Sequence, residues 1–210
     1  MSRKLRFCYS TMNSGKTLRL LTMAYNFEEN NIPFITLKPS ADTRDGKNII
    51  KSRVGLKRDC VSVNSNVNIF DAVTEYNNIL KAQLSKLEWI LVDECQFLTE
   101  KQVEQLANIV DKLDIDVMCF GLRTDFQARL FPGSKRLMEL ADDIEELKAR
   151  CKCGRKTIVN ARFDENDEIV LDGSQVLVGG NELYTPLCRK CYNKAIKDKL
   201  TKLENENIQL

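Results

Sequence analysis

The segment spanning residues 5–20, LRFCYSTMNSGKTLRL, constrains the fold more than any other part of the chain. It begins with an apolar run typical of a buried strand, continues through small and polar residues, and enters a helical pattern after Gly15-Lys16-Thr17. A strand, a tight polar loop, GKT and a helix are the context of a phosphate-binding loop, although a bare GKT is also common by chance. There, backbone N–H groups and the helix N-terminus can hold a polyphosphate, with Lys16 on its β- and γ-oxygens and the Thr17 hydroxyl on Mg²⁺.

The pattern that follows this loop predicts an α/β domain. The candidate strands are nearly continuous apolar runs, so we expect a mainly parallel sheet that is covered by helices on both faces. Thr99 can cap the third helix, and Gln102 stands where a capping box requires a Gln or Glu. The candidate strands are residues 5–9, 33–37, 60–63, 89–92 and 117–120, and the candidate helices are residues 17–30, 69–87 and 99–113.

The alternation of strands and helices ends near residue 122. Beyond residue 150, paired cysteines bracket a stretch with strand alternation, and turn residues at Asn166-Asp167 predict a hairpin of residues 157–163 with 168–171. A helical pattern covers 192–200, and the last ten residues are polar and expected to fray. The predicted organisation is a nucleotide-binding domain over 1–148, a small cysteine-bracketed domain over 149–195 and a disordered tail over 196–210.

A second acidic motif supports a nucleotide site. The apolar run Trp89–Val92 ends in Asp93 and Glu94. In nucleotide-binding sheets, the strand beside the phosphate loop ends in an aspartate that holds Mg²⁺, which fits Asp93. A second carboxylate at that point can take a proton from an attacking nucleophile, which fits Glu94. The alternative is a strand that runs into a solvated acidic turn.

Eight cysteines and the absence of histidine define the possible metal chemistry. Cysteines at 8, 60, 95 and 119 lie among apolar residues and are expected to pack as small hydrophobic side chains. Cys151 and Cys153 form one pair, and Cys188 and Cys191 form another with the spacing of a zinc knuckle. We expect these four thiolates to hold one structural zinc ion, because four sulfurs leave no open catalytic position; free thiols are the alternative.

The segment 38–44, KPSADTR, follows the second candidate strand. Ligands gather at the carboxyl ends of strands in open α/β sheets, so Asp42 and Arg44 could reach the phosphates or the metal. A flexible charged loop is an equally good interpretation of these residues alone.

Charge and hydropathy limit the partners. The net charge is +2 with both signs mixed along the chain, which is no footprint for a polyanion such as DNA. No apolar run approaches the roughly 20 residues needed to span a bilayer. The N-terminus leaves no room for a signal peptide before the first strand, so we expect a cytoplasmic protein without nucleic-acid or membrane partners.

Taken in order, the motifs resemble the thymidine kinases of the compact, zinc-containing type. The resemblance rests on the GKT loop containing Met12, on KPSADTR, VDECQF and GLRTDFQ, and on the cysteine pairs around GG-x-E-x-Y-x-x-x-C-x-x-C-Y. It runs from about residue 4 to about residue 195. It implies a P-loop (RecA-like) sheet with a C-terminal zinc-bound lasso domain. It also implies transfer of the γ-phosphate of ATP to the 5′-hydroxyl of thymidine in pyrimidine salvage, and a homotetramer. Main-chain contacts to the base would suit a uracil-like edge, so we expect deoxyuridine to be a weaker substrate.

The resemblance also implies a role for each matching residue. On the ATP side, Asp42 and Arg44 would help to form the phosphate and metal site, Asp93 would hold Mg²⁺, Glu94 would accept the proton and Gln96 would anchor the site. The residues implied to bind the ATP phosphates are Ser10, Thr11, Met12, Asn13, Ser14, Gly15, Lys16 and Thr17.

On the nucleoside side, Phe126 would stack on the thymine ring, Tyr184 would close the pocket and Met12 would also contact the substrate. A lasso-like loop containing Val178, Gly179 and Gly180 would bind the base through its main chain. The implied zinc ligands, which would tie down the root of this loop, are Cys151, Cys153, Cys188 and Cys191.

Three positions depart from the family pattern. Ser10 replaces the first glycine of the loop, so its backbone must avoid strongly positive φ or accept strain. Cys95 stands where the family usually has alanine, and it is expected to pack. The first cysteine pair has one intervening residue, where two are frequent.

Two other classes of protein compete with a nucleoside kinase. An Asp-Glu pair after an apolar strand also activates water in helicase-like motor ATPases, but this chain has no second motor domain and no strong basic track. A zinc-ribbon adaptor with a vestigial nucleotide site is the other alternative, and Ser10 is the best argument for it.

Overall fold

The computed structural model describes residues 2–43, 46–176 and 183–208. The strands are β1 (Leu5–Ser10), β2 (Phe34–Pro39), β3 (Ile49–Lys51), β4 (Lys57–Asp59), β5 (Val61–Val63), β6 (Trp89–Val92), β7 (Asp116–Leu122), β8 (Asp143–Glu146), β9 (Val159–Arg162) and β10 (Tyr184–Leu187). The helices are α1 (Lys16–Glu29), α2 (Ile69–Ala82), α3 (Glu100–Leu113), α4 (Pro132–Leu140) and α5 (Arg189–Ile208), with a short 3₁₀ helix at Cys95–Phe97.

Six strands form one sheet in the order β5-β2-β6-β7-β1-β8. The pairs β5–β2, β2–β6, β6–β7 and β1–β8 are all parallel. The carboxyl ends of neighbouring parallel strands therefore meet at one edge, where ligands gather in open α/β folds. The predicted parallel sheet flanked by helices is confirmed.

Both faces of this sheet are buried. In β6, Ile90 and Val92 point into the apolar core that also contains Leu106 of α3. Leu91, between them, points into a second core with Leu20 of α1. Since alternate side chains of a strand point to opposite faces, helices on both sides require an apolar residue at every position. This explains why the strands appeared in the sequence as continuous apolar runs.

Several local features agree with the sequence, and several do not. The capping box at the start of α3 is confirmed, since Thr99 accepts from the Gln102 N–H and Gln102 accepts from the Thr99 N–H. The β3–β4 hairpin and β8 were not predicted, and α2 ends at Ala82 rather than near residue 87. Short or charged strands lack the apolar signal by which strands are recognised, which is why β3, β4 and β8 were missed.

The chain divides into two compact units. The first consists of residues 1–9, 15–123 and 131–147, and it contains the six-stranded sheet apart from Ser10. The second consists of residues 10–14, 124–130 and 148–210. Its small core includes Val159, Ala161, Ile169 and Leu187. The predicted domain boundaries at residues 148 and 195 stay a prediction.

In the second unit, β9 pairs with β10 in an antiparallel ladder. The predicted hairpin is present as a tight turn, in which Phe163 and Ile169 form a bridge and the Asp164 N–H donates to the Glu168 carbonyl at 2.9 Å. The strand that pairs with β9 along its whole length is nevertheless β10, which was not predicted as a strand from the sequence.

Helix α5 continues to Ile208, although the sequence predicted a disordered tail from residue 196. The Glu168 carboxylate accepts hydrogen bonds from Lys199 and Lys202, which attach this part of the helix to the turn after β9. These contacts are distant in sequence, so local composition did not reveal them. None of the helices in the described part of the chain is both long and apolar enough to cross a lipid bilayer.

Candidate active site and metal centre

The loop between β1 and α1 joins the end of a strand to the start of a helix, which is the context that a phosphate-binding loop requires. Ser10 is the last residue of β1, so its backbone is extended and the missing glycine of the motif is not needed for a left-handed conformation. The positive φ angles lie further on, at Asn13 (62°) and Gly15 (87°). Gly15 immediately precedes α1, whose N-terminus carries the positive end of the helix dipole.

Lys16, Thr17 and Asp93 form a polar group at this helix start, in which Lys16 and Asp93 are buried and Thr17 is half-buried. The Thr17 hydroxyl donates to the Asp93 carboxylate at 3.2 Å. Burial lowers the pKa of Lys16, while the carboxylates of Glu94 and Asp93 oppose that shift. Burial and the Glu94 charge raise the pKa of Asp93 to about 7, against the opposing effects of Lys16 and Thr17. A hydroxyl and a carboxylate oxygen at this spacing are the donor set that Mg²⁺ prefers, and a bound cation would favour the ionised form of Asp93.

Glu94 is held in a specific orientation. Its backbone φ angle is 50°, which lies in the left-handed region that residues other than glycine rarely adopt. The Gln96 side chain donates to Glu94 Oε2 at 2.5 Å and accepts from the Leu122 N–H at 3.0 Å. Gln96 therefore connects the end of β7 to the Glu94 carboxylate. Uncommon backbone conformations of this kind persist where the surroundings fix them, often at functional sites.

Gly121, the first residue of the GLRTDFQ motif, makes room for this arrangement, although the sequence analysis assigned it no role. A Cβ at Gly121 would lie 2.6 Å from Cys95 Sγ and 2.7 Å from Gln96 Oε1. Cys95 is completely buried, and its burial raises the pKa of its thiol well above the ordinary value. Cys95 thus packs as a small apolar side chain, as expected.

Asp42 lies beyond the carboxyl end of β2 and is 6% exposed. Its carboxylate is 3.6 Å from the ammonium group of Lys38, which is 1% exposed. Lys38 also donates to the carbonyls of Gly46 and Ile49, each at 2.9 Å. Lys38 therefore holds the segment that carries Asp42, a role that the sequence did not indicate. Arg44 lies outside the described residues.

In the second unit, the phosphate-loop residues 11 and 12 contact β9 and the residues before it. The Met12 N–H donates to Asn160 Oδ1 at 2.7 Å, and the hydroxyls of Thr11 and Thr157 are 2.8 Å apart. Thr157 and Asn160 are 3% exposed each. Neither was predicted as a site residue, and the only signal in the sequence is a polar residue within a strand pattern.

Phe126 also belongs to the second unit. Its ring is 1% exposed, and the Arg162 guanidinium carbon lies 3.8 Å from the ring centroid. The Phe126 carbonyl accepts from the Tyr192 hydroxyl at 2.9 Å. Tyr184 is half-buried at the start of β10, opposite Arg162 in the ladder. Val178, Gly179 and Gly180, which the sequence placed in a base-binding loop, lie outside the described residues.

The four paired cysteines come together, as the sequence predicted. The sulfurs of Cys151, Cys153, Cys188 and Cys191 all lie within 4.8 Å of one another. Tetrahedral zinc with Zn–S bonds of about 2.3 Å requires a comparable spacing, and a four-sulfur donor set fits a structural zinc site. Gly154, at φ 84°, turns the chain after the short CxC pair, so the single intervening residue is accommodated. A hydrogen bond from the Cys191 N–H and contacts with the other thiols lower the pKa of Cys188 to about 6, which favours the thiolate that a metal binds.

Comparisons with known proteins cover nearly the same residues as these motifs. A family model described as "Thymidine kinase" matches residues 3–192. A thymidine kinase of Haemophilus influenzae (strain 86-028NP) is 44% identical over 191 residues, which cover 91% of this chain and 96% of the relative. One from Aliivibrio fischeri is 43% identical over 193 residues, covering 92% and 98%. One from Shewanella oneidensis is 43% identical over 195 residues, covering 93% and 99%.

Proposed function

The chain belongs to the thymidine kinase family, and from this premise we propose that it transfers the γ-phosphoryl group of ATP to the 5′-hydroxyl of thymidine. The products are dTMP and ADP, in pyrimidine salvage. The observation that carries the proposal is the polar group at the start of α1, in which the Thr17 hydroxyl and the Asp93 carboxylate lie 3.2 Å apart and Gln96 orients the neighbouring Glu94.

In this proposal Glu94 is the general base. Its carboxylate accepts the proton of the thymidine 5′-hydroxyl as that oxygen attacks the γ-phosphorus in line, and the bond from the γ-phosphorus to the ADP oxygen breaks. Lys16 offsets charge on the β- and γ-oxygens. Mg²⁺, for which Thr17 and Asp93 are the candidate ligands, supplies further charge neutralisation on those oxygens when bound. Most of the acceleration then comes from positioning and electrostatics.

The remaining candidate site residues have supporting roles. Residues 10–15 hold the ATP phosphates through backbone N–H groups, and Asp42 and Arg44 assist at the phosphate and metal site. Phe126, Tyr184, Met12 and the main chain of residues 178–180 bind the nucleoside. Since the Phe126 ring is 1% exposed, a base can stack on it only after a face of the ring becomes accessible. A fixed pattern of main-chain donors and acceptors suits a uracil-like edge, which makes deoxyuridine a weaker substrate.

The metal, the location and the oligomeric state belong to the same proposal. The metal at the four cysteines is zinc, and its role is structural, because four sulfurs close the coordination shell. The protein works in the cytoplasm as a homotetramer, without nucleic-acid or membrane partners. Light scattering on the purified protein tests the tetramer, and a monomer or dimer would contradict it.

One assay tests the activity. Purified protein is incubated with ATP, Mg²⁺ and, separately, each of the four deoxynucleosides and deoxyuridine. We expect phosphorylation of thymidine to be fastest, with deoxyuridine next. ATP hydrolysis that nucleic acid stimulates, without phosphorylation of any nucleoside, would instead identify a motor ATPase. Failure to bind ATP in calorimetry would identify an adaptor with a vestigial site.

A further inference from the structure

Arg162 is buried at the end of β9 and has unusual partners. Arg162 is 6% exposed, and its guanidinium carbon lies 3.8 Å from the centroid of the Phe126 ring. One nitrogen, Nη1, donates to the Ser174 carbonyl at 3.0 Å, and Nη2 donates to the Asp172 carbonyl at 3.3 Å. A buried cation is costly unless hydrogen bonds and ring contacts compensate for lost water, so these contacts define where the guanidinium group can lie.

The turn beside Arg162 is shaped to receive this guanidinium group. Gly173 separates the two carbonyls that accept from Arg162, and it has φ 131°, a conformation that suits glycine. A Cβ at Gly173 would lie 2.7 Å from Arg162 Nη2. Any other residue at this position would displace the guanidinium group from its place between the ring and the carbonyls.

The loop that carries Phe126 is attached to the same segment by a second set of hydrogen bonds. Asp125 Oδ1 accepts from the N–H groups of Gln127 and Arg129, both at 2.9 Å, which closes the loop on itself. Asp125 Oδ2 accepts from the Gln175 side chain at 2.9 Å, and Gln127 donates to the Leu171 carbonyl at 2.8 Å. The side chains of Asp125, Gln127 and Gln175 thus hold the loop against residues 171–175, and Arg162 contacts the ring itself.

We propose that Arg162 is a positioning residue for the nucleoside base. Stacked on one face of Phe126 and fixed by two carbonyls, it sets the plane of the ring against which the thymine stacks on the other face. The inference rests on the proposed function, since it assumes that Phe126 contacts the base. An arginine suits this task because its planar group stacks and donates in a fork at the same time, which a lysine cannot do.

A double-mutant cycle between Arg162 and Phe126 tests the proposal. We expect Arg162→Met to raise the KM for thymidine about tenfold, within the range of a desolvated cation–π contact, and to leave the KM for ATP within about twofold. In a Phe126→Leu background, the same change should alter the thymidine KM by no more than about twofold, because the ring through which Arg162 acts is gone.

Two further variants make the result specific. Arg162→Lys keeps the charge and one donor, so it provides a folded variant if the methionine change disturbs β9; it should still raise the thymidine KM about threefold. Arg58→Met is the matched control, because the Arg58 guanidinium lies 4.5 Å over the Phe34 ring in the other unit and the substitution removes the same kind of contact. We expect it to leave the thymidine KM within about twofold. Circular dichroism and zinc content verify folding of each variant.

The possible results separate this inference from the proposed function. An equal effect of Arg162→Met with and without Phe126 would show that Arg162 acts only through residues 172–174 and would overturn the inference. A lowered thymidine KM would overturn it too, since Arg162 would then occupy the face that the base needs. A thymidine KM that is unchanged in both Arg162→Met and Arg162→Lys would also overturn the inference. A wild-type protein that does not phosphorylate thymidine would overturn the proposed function, and this inference with it.

Discussion

At the scale of single residues, the site depends on charged groups that the fold has removed from water. Lys16, Asp93 and Glu94 are all less than 10% exposed, and two of them are acids next to each other in sequence. Burial, together with the repulsion between the two carboxylates, raises the pKa of Asp93. A site with one buried cation and two buried acids is best completed by a divalent cation together with an anionic ligand, which is what Mg²⁺ and ATP provide.

The role of Glu94 leads to the first prediction. Glu94→Gln should fold and bind ATP normally but lose at least about 10²-fold in turnover, the scale of a missing general base. Steady-state kinetics with thymidine measures the loss, and calorimetry measures ATP binding. Glu104→Gln is a suitable control, because Glu104 is paired with Arg136 on the surface of α3. Turnover near the wild-type value in the Glu94 variant would remove Glu94 from the mechanism.

Asp116, at the start of β7, leads to a prediction about pH. Burial disfavours its carboxylate, but hydrogen bonds from Arg3 at 2.9 Å and Arg6 at 2.6 Å outweigh this and lower the pKa of Asp116. A pKa that folding lowers adds stability above the unfolded value of about 3.9, and this stability disappears as the pH falls through the folded pKa.

We therefore expect Asp116→Asn to reduce the free energy of unfolding by about 1 kcal/mol at neutral pH. The deficit should shrink as the pH falls below about 4. Urea unfolding of both proteins between pH 7 and pH 3.5 measures it. Asp143→Asn changes an exposed partner of Lys4 and Arg6, and it should reduce the free energy of unfolding by less than Asp116→Asn does at every pH. A deficit that grows on acidification would show that the ionised carboxylate does not stabilise the fold.

At the scale of elements, the strands and helices of the sheet were predictable, because burial on both faces leaves an apolar run that local pattern reveals. For example, the predicted strand 89–92 has the same bounds as β6, and Thr99, the predicted cap of the third helix, is the N-cap of α3. β8 was missed because its sequence, DIEE, shows no apolar run; its backbone pairs with β1 while Asp143 contacts Lys4 and Arg6. The contributions of Arg162 and Lys38 to the candidate site were not predicted. Lys38 donates to backbone carbonyls, and Arg162 contacts carbonyls and the Phe126 ring, and only the fold brings these partners together.

The C-terminal helix is the element whose extent the sequence predicted least well. Hydrogen bonds from Lys199 and Lys202 lower the pKa of Glu168 to about 2, so its carboxylate is ionised over the whole physiological range. Glu168→Gln should release the last turns of α5, and trypsin should then cleave there severalfold faster than in the wild type. Glu165→Gln, in the same turn but exposed, is the control. Equal cleavage rates in the two variants would show that α5 is held by other contacts.

At the scale of the whole molecule, each unit has its own source of stability. The sheet unit has two extensive apolar cores, whereas the second unit has a small core that includes the candidate metal ligands Cys151 and Cys188. A domain with so few apolar residues usually depends on a metal or on disulfides. The stability of the second unit should therefore follow its metal, while that of the sheet should not.

Removal of zinc tests this division. A strong chelator should disorder β9 and β10 and abolish thymidine binding at a temperature where the sheet remains folded and still binds ATP. Circular dichroism and calorimetry with each ligand follow the two effects, and added Zn²⁺ should reverse both. Metal analysis that finds less than roughly half an equivalent of zinc in fresh protein would refute the four-sulfur site.

The last strand of the sheet has a consequence for how the protein behaves at high concentration. β8 is the edge strand of the six-stranded sheet beside β1, and three of its four residues are acidic. If the β8 strands of two molecules approached each other, their acidic side chains would repel. This repulsion disfavours the pairing of edge strands that leads to aggregation. The acidic residues that made β8 hard to recognise in the sequence are thus also the residues that we expect to disfavour edge-to-edge pairing of two sheets.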